Sequence, residues 1–157
     1  MKFLSLIMVM VIGFVANIAA QDLTTADRQE HYNIDKKELA VKGYDPVSYF
    51  SGKPRKGSKN FQHEFKGVIY RFTSQANLDT FKADPEKYEP MFGGWCAFAM
   101  GDRGEKVKVD PKNFKIVDGK LHLFYKGTFV NTKPKWNKDE DNLKVKAAKN
   151  WASILGK

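Results

Sequence analysis

Between residues 58 and 72 the chain alternates. Phe61, His63 and Phe65 form one face against Gln62 and Glu64 on the other, and after Lys66-Gly67 the residues Ile69, Tyr70 and Phe72 resume a β-rich pattern. Period-two alternation around a glycine turn predicts a β-hairpin. A second hairpin is predicted where Phe114, Ile116 and Val117 precede Asp118-Gly119 and Leu121, Leu123 and Tyr125 follow, because Asp-Gly suits a type I′ turn. The period then changes. Leu78 and Phe81 lie three apart on a helix that Thr73 or Ser74 is placed to cap and Asp84-Pro85 to end. From about 138 to 155, Leu143, Ala147, Trp151 and Ile154 trace one helical face, with Gly156 placed to stop it. The pattern predicts an α+β fold: a small single domain with two β-hairpins and two or three helices, including a C-terminal helix.

Three other segments organise the chain. Residues 1–20 carry Lys2, an apolar run from Phe3 to Val15 and then Ala16, Ala19 and Ala20, the layout of a secretory signal peptide. Export to the periplasm or the medium after cleavage near Ala20 is the expectation. Residues 21–38 are polar and read as an arm leading into a domain at 39–155. Gly43-Tyr44-Asp45-Pro46 is turn-like, and the glycine- and proline-containing stretch 51–58 reads as a surface loop.

Charge narrows the partners. The formal net charge is +9, of which Lys2 contributes one, and the cations are spread along the chain rather than massed in a block. A dispersed positive charge argues against nucleic acid and leaves weak contact with an anionic surface, such as lipid headgroups or polysaccharide, as the electrostatic partner. A soluble monomer is expected. The single cysteine, Cys96, has no partner within the chain, which leaves an intermolecular disulfide, a free thiol kept for chemistry, or a small buried side chain.

Candidate chemistry concentrates in residues 90–101, Pro-Met-Phe-Gly-Gly-Trp-Cys-Ala-Phe-Ala-Met-Gly. If a helix starts near Gly94, its dipole and unpaired amides favour a thiolate at Cys96, and Met100 follows one turn later on the same face. Thiolate and thioether are soft ligands that select Cu(I). The candidate metal set is therefore Cys96, Met100 and Met91, with His63 and His122 as residues that the fold could bring to the thiol; the pattern implies copper as the cofactor. There is no glycine-rich phosphate loop, no Gly-x-Ser-x-Gly elbow and no Cys-x-x-Cys pair. Their absence from the sequence speaks against hydrolase, kinase or nucleotide-dependent activity. A catalytic role, if any, would fall to Cys96 as a redox thiol.

Four ordered motifs then resemble a known family: 43–50 (Gly-Tyr-Asp-Pro-Val-Ser-Tyr-Phe), Gly67 with Tyr70-Arg71-Phe72, Phe81 with 84–88 (Asp-Pro-Glu-Lys-Tyr), and 93–97 (Gly-Gly-Trp-Cys-Ala). Together they are similar to the exported YHS-domain proteins, over about Leu39 to Trp151. The resemblance implies metal handling, since YHS relatives fused to copper-transporting ATPases carry cysteines in Asp-Pro-Val-Cys and Phe-Cys-Ser-x-x-Cys motifs. Here Ser48, Thr73 and Asn77 occupy those three thiol positions. In the exported branch the recurrent cysteine is the one that Cys96 matches, and some members are labelled selenoproteins. Three readings stay open: a metal-binding accessory protein working with a metal ion or a metal-handling partner, a thiol-dependent redox enzyme, and a non-catalytic interaction domain for an anionic partner.

Overall fold

Both predicted hairpins form. The computed structural model describes residues 23–157, so the segment read as an export signal lies outside the described residues. Strands β1 (Ser58–Phe65) and β2 (Val68–Phe72) pair antiparallel, as do β3 (Asp110–Val117) and β4 (Lys120–Phe124). The two turns share one chemistry: Lys66 and Gly67, like Asp118 and Gly119, all have positive φ, which matches the right-handed twist of the flanking strands. The hairpins remain separate two-stranded sheets, each with a bulge in its first strand.

Helices cover the hairpins. They are α1 (Thr25–His31), α2 (Gln75–Ala83), α3 (Pro85–Tyr88), α4 (Ala97–Arg103), α5 (Lys133–Lys138) and α6 (Glu140–Ile154). Ser74 caps α2 by accepting the Asn77 amide, and Leu78 and Phe81 are its buried residues. The long C-terminal helix buries Leu143 and Ala147, with Trp151 and Ile154 packed at its margin. Sequence periodicity predicts two or three helices because α1, α3, α4 and α5 are each too short to display a full apolar stripe.

Of the segment 21–38, read as a polar arm, the described residues 23–38 contain α1 and dock onto the domain. Thr24 and Asp27 form a reciprocal capping box at its start. The buried Arg28 pairs with the buried Glu89 and lies 5.1 Å from the ring centres of both Tyr32 and Phe65. Tyr70 donates its hydroxyl to the same Glu89 carboxylate at 2.6 Å. Burial, with Glu89 beside it, pushes the Tyr70 hydroxyl well above its ordinary pKa. No apolar pattern announces this docking, because a buried ion pair and not a hydrophobic stripe secures it.

β4 is buried on both faces and divides the core. Leu121 and Leu123 join Tyr49, Val68, Tyr70, Phe72 and Phe81 in one cluster; Phe124 joins Phe92, Met100, Trp136, Leu143 and Ala147 in the other. Helices α4 and α6 cross closely in the second cluster, and Gly101 permits it: a Cβ there would stand 2.6 Å from the Leu143 carbonyl oxygen. Asn150 ties the crossing by donating to the Met100 carbonyl at 2.8 Å.

Candidate functional site

Cys96 is fully buried at the point where the chain enters α4. It is the N-cap, with φ −61° and ψ 115°, so its side chain leaves in a direction that the helix does not share. Cys96 and Ala99 consequently face the first core cluster, whereas Ala97 and Met100 face the second. The expectation that a helix from Gly94 carries the thiol and Met100 on one face is corrected here: Phe92, Gly93 and Gly94 all have positive φ, and the helix proper begins only at Ala97.

The sulfur's partners form a closed circuit. The Tyr125 amide donates to Cys96 Sγ at 3.3 Å, and Thr132 Oγ1 lies 3.4 Å from the same sulfur. Thr132 donates its hydroxyl proton to the Tyr125 carbonyl at 3.1 Å. A hydroxyl has one proton, so with that proton committed the Cys96 S–H is the donor toward Thr132. The circuit joins the N-cap of α4, the end of β4 and the start of α5 around one sulfur. Beside it opens a cavity of about 200 Å³ lined by Phe98, Ala99, Arg103, Val107, Val130 and Lys135 among others.

Of the five predicted metal ligands, Cys96 alone lines that cavity. Met100 is packed in the second cluster, and Met91 lines a separate cleft with Arg28, Tyr32, Glu89 and Trp151. His63 sits half-exposed on β1 with its ring 6.4 Å from Phe81. His122, on β4, is buried between Phe92 (5.7 Å) and Trp136 (5.5 Å). Its Nδ1 contacts the Lys120 carbonyl at 3.1 Å, and its Nε2 is buried with no hydrogen-bond partner. Burial is the main force lowering the pKa of both histidines. Among the described residues no group of three or more His, Cys, Asp or Glu is arranged to hold a metal ion. Nor is any described helix long and apolar enough to cross a membrane.

A second locus forms around Asp45, which the sequence presents only as a turn former before Pro46. Its side chain is fully buried. Oδ1 accepts the amides of Val47 (2.9 Å) and Ser48 (3.3 Å); Oδ2 accepts the Thr73 amide (2.9 Å), the Thr73 hydroxyl (2.8 Å) and Asn77 Nδ2 (2.7 Å). Ser48 Oγ donates back to the Asp45 carbonyl at 2.7 Å. Thus Ser48, Thr73 and Asn77, the three residues standing at the thiol positions of metal-handling relatives, converge in space. Thr73 and Asn77 donate from their side chains to the Asp45 carboxylate, whereas Ser48 reaches it through its backbone amide and gives its hydroxyl proton to the Asp45 carbonyl. This set does not fit a soft metal, since it offers no thiolate and its donors already point at Asp45. The same three residues line an open cleft with Arg55 and Tyr88. Asp45 and Thr132 are the residues that sequence reading missed. The polar character shared by positions 48, 73 and 77 was a usable signal for the first; nothing local marks the second.

The sequence model of the YHS domain matches residues 47–91, which is consistent with a YHS-domain protein. The matched segment contains Ser48, Thr73 and Asn77 and ends before Cys96. No curated protein and no solved structure matches the chain.

Proposed function

We propose that this protein is a non-catalytic interaction domain for an anionic partner, built on a YHS core whose thiol positions now serve as a structural hub. The observation that carries the reading is the convergence of Ser48, Thr73 and Asn77 onto Asp45. With the Thr73 and Asn77 side chains committed to the Asp45 carboxylate, the Ser48 hydroxyl to the Asp45 carbonyl and Cys96 Sγ to Thr132 and the Tyr125 amide, the chemical resource left in quantity is surface charge, a formal +9 over the chain. Export through residues 1–20 is part of the proposal and predicts that the isolated protein begins at Gln21 on N-terminal sequencing.

Soft-metal handling, with copper(I) held at Cys96, is the second reading. The cavity that opens beside the thiol and the metal association of the YHS domain favour it. One experiment separates the two. The reduced chain from Gln21 onward is titrated with Cu(I) against a competing chelator, beside Cys96→Ser, and is also passed over an anionic matrix in a salt gradient. The interaction reading expects the same Cu(I) retention in both proteins and salt-dependent elution from the matrix. One equivalent of Cu(I) held by the wild type and lost in Cys96→Ser would replace it with the metal reading.

A further inference from the structure

The loop after β4 exposes what a folded domain normally hides. Among the described residues four large apolar side chains are exposed, and three of them, Tyr125 (37%), Phe129 (97%) and Val130 (44%), lie in this one loop. Single exposed apolar residues are ordinary on a protein surface, and grouped ones are not. The loop is also held in shape. Lys126 and Asn131 pair antiparallel across it, Gly127 donates its amide to the Val130 carbonyl at 2.8 Å, and the Thr132 amide donates to the Tyr125 carbonyl at 3.1 Å. Asn113 Nδ2 reaches the Tyr125 carbonyl and Asn131 Oδ1 from β3. Anchored at both ends, the loop holds the Phe129 ring in solvent, away from either core cluster.

The charge along the loop and the segment that follows it is of one sign. From residue 126 to 138 the chain carries Lys126, Lys133, Lys135 and Lys138 and no Asp or Glu. Lys126 and Lys135 are exposed, and Lys135 lines the cavity wall together with Tyr125 and Val130. Arg103 lines it too, but its guanidinium is already engaged by Glu105 and Asp102.

We propose that this loop is a membrane-docking tip, with Phe129 and Val130 entering the interfacial region of an anionic lipid bilayer while the exposed Lys126 and Lys135 meet the headgroups. An aromatic residue on a convex tip suits a soft, deformable surface, whereas a protein partner would have to supply a matching concavity. Interfacial binding combines buried apolar area with attraction between basic side chains and anionic lipids, and the loop carries both in one short segment. The inference rests on the interaction-domain reading and names the anionic partner.

The test is co-sedimentation of the chain from Gln21 onward, which contains every described element, with vesicles of phosphatidylcholine and phosphatidylglycerol at 3:1 and with phosphatidylcholine alone. Phe129→Ser and Lys126→Glu are the variants; a residue 97% exposed is replaceable without unfolding, and unchanged thermal unfolding verifies this. The expected result is binding to the mixed vesicles, with an apparent affinity at least about tenfold weaker for Phe129→Ser and weaker again on neutral vesicles. Binding that Phe129→Ser leaves unchanged would overturn the docking tip, as would a concentration-dependent dimer of the free protein that Phe129→Ser dissolves. Retention on the anionic matrix without binding to vesicles would overturn the lipid assignment alone and leave the interaction reading standing. Loss of both retentions, with one Cu(I) held at Cys96, would remove both.

Discussion

Asn77 Nδ2 lies 2.7 Å from Asp45 Oδ2, across 32 residues of sequence, and this bond seats the first turn of α2 against the turn that precedes Tyr49. Both carboxylate oxygens are occupied by donors only. Replacing Asp45 with Asn is therefore no milder than replacing it with Ala, because an amide nitrogen in either place would face an N–H or O–H. Each substitution is expected to cost about 3 kcal/mol, given that hydrogen bonds to charged groups are worth roughly 1.5–3 kcal/mol apiece and are not additive. Urea unfolding measures this. A near-neutral Asp45→Asn would show that the carboxylate is not the acceptor described.

The buried thiol should be slow to react in the folded protein. Cys96 is fully buried and hydrogen-bonded, so alkylation of the native chain should lag the urea-unfolded chain by about two orders of magnitude or more, the lag reporting the opening equilibrium that exposes the sulfur. Intact mass should show a monomer with one modifiable thiol after unfolding. Thr132→Val, which removes the acceptor for the S–H, should lower stability by about 1 kcal/mol. A native thiol that reacts at the rate of a small free thiol would return Cys96 to the list of redox candidates.

His122 makes stability depend on pH. Burial between Phe92 and Trp136 holds its pKa below the ordinary value; the Lys120 carbonyl, Glu140 and Asp118 oppose that shift more weakly, and Lys144 adds to it. In the unfolded chain the ring titrates near about 6.5 and so takes up its proton first as the pH falls. The contribution is complete above about pH 6.5 and is lost as the pH drops through the folded-state pKa, with a slope of at most about 1.4 kcal/mol per pH unit. His122→Leu should flatten most of the slope and leave the smaller, half-exposed contribution of His63. An undiminished slope in that variant would place the titration elsewhere.

Gly93 tests the entry to the Cys96 segment. Its φ is +59°, and a Cβ there would stand 2.8 Å from Tyr32 Cδ1 and 3.0 Å from Trp151 Cη2. Gly93→Ala combines left-handed strain with a clash against two packed rings, for an expected loss of about 1–3 kcal/mol. Since Asn33 donates its amide to the Gly93 carbonyl at 2.8 Å, the variant should also loosen the N-terminal segment, which limited proteolysis near α1 would register. A fully stable Gly93→Ala would mean that this turn has room the packing does not indicate.

Local pattern was enough for the hairpins and for α2 and α6. Alternation, the two Xaa-Gly turns, the Ser74 cap and the 143–147–151–154 stripe act between residues a few positions apart, so the chain itself specifies them. The YHS segment was legible for the same reason, its motifs being short and ordered. Tertiary structure alone decided the chemistry. Cys96 meets Thr132 across 36 residues and Tyr125 across 29, while Arg28 meets Glu89 across 61. Met100, four residues from Cys96, faces another cluster because positive φ at Phe92, Gly93 and Gly94 delays the helix until Ala97. Sequence spacing measures distance along the chain, and a side chain's partners depend on distance in space. Where the backbone turns sharply, as it does from Phe92 to Cys96, neighbours in sequence are sent to opposite sides of β4, and only packing determines which groups they meet.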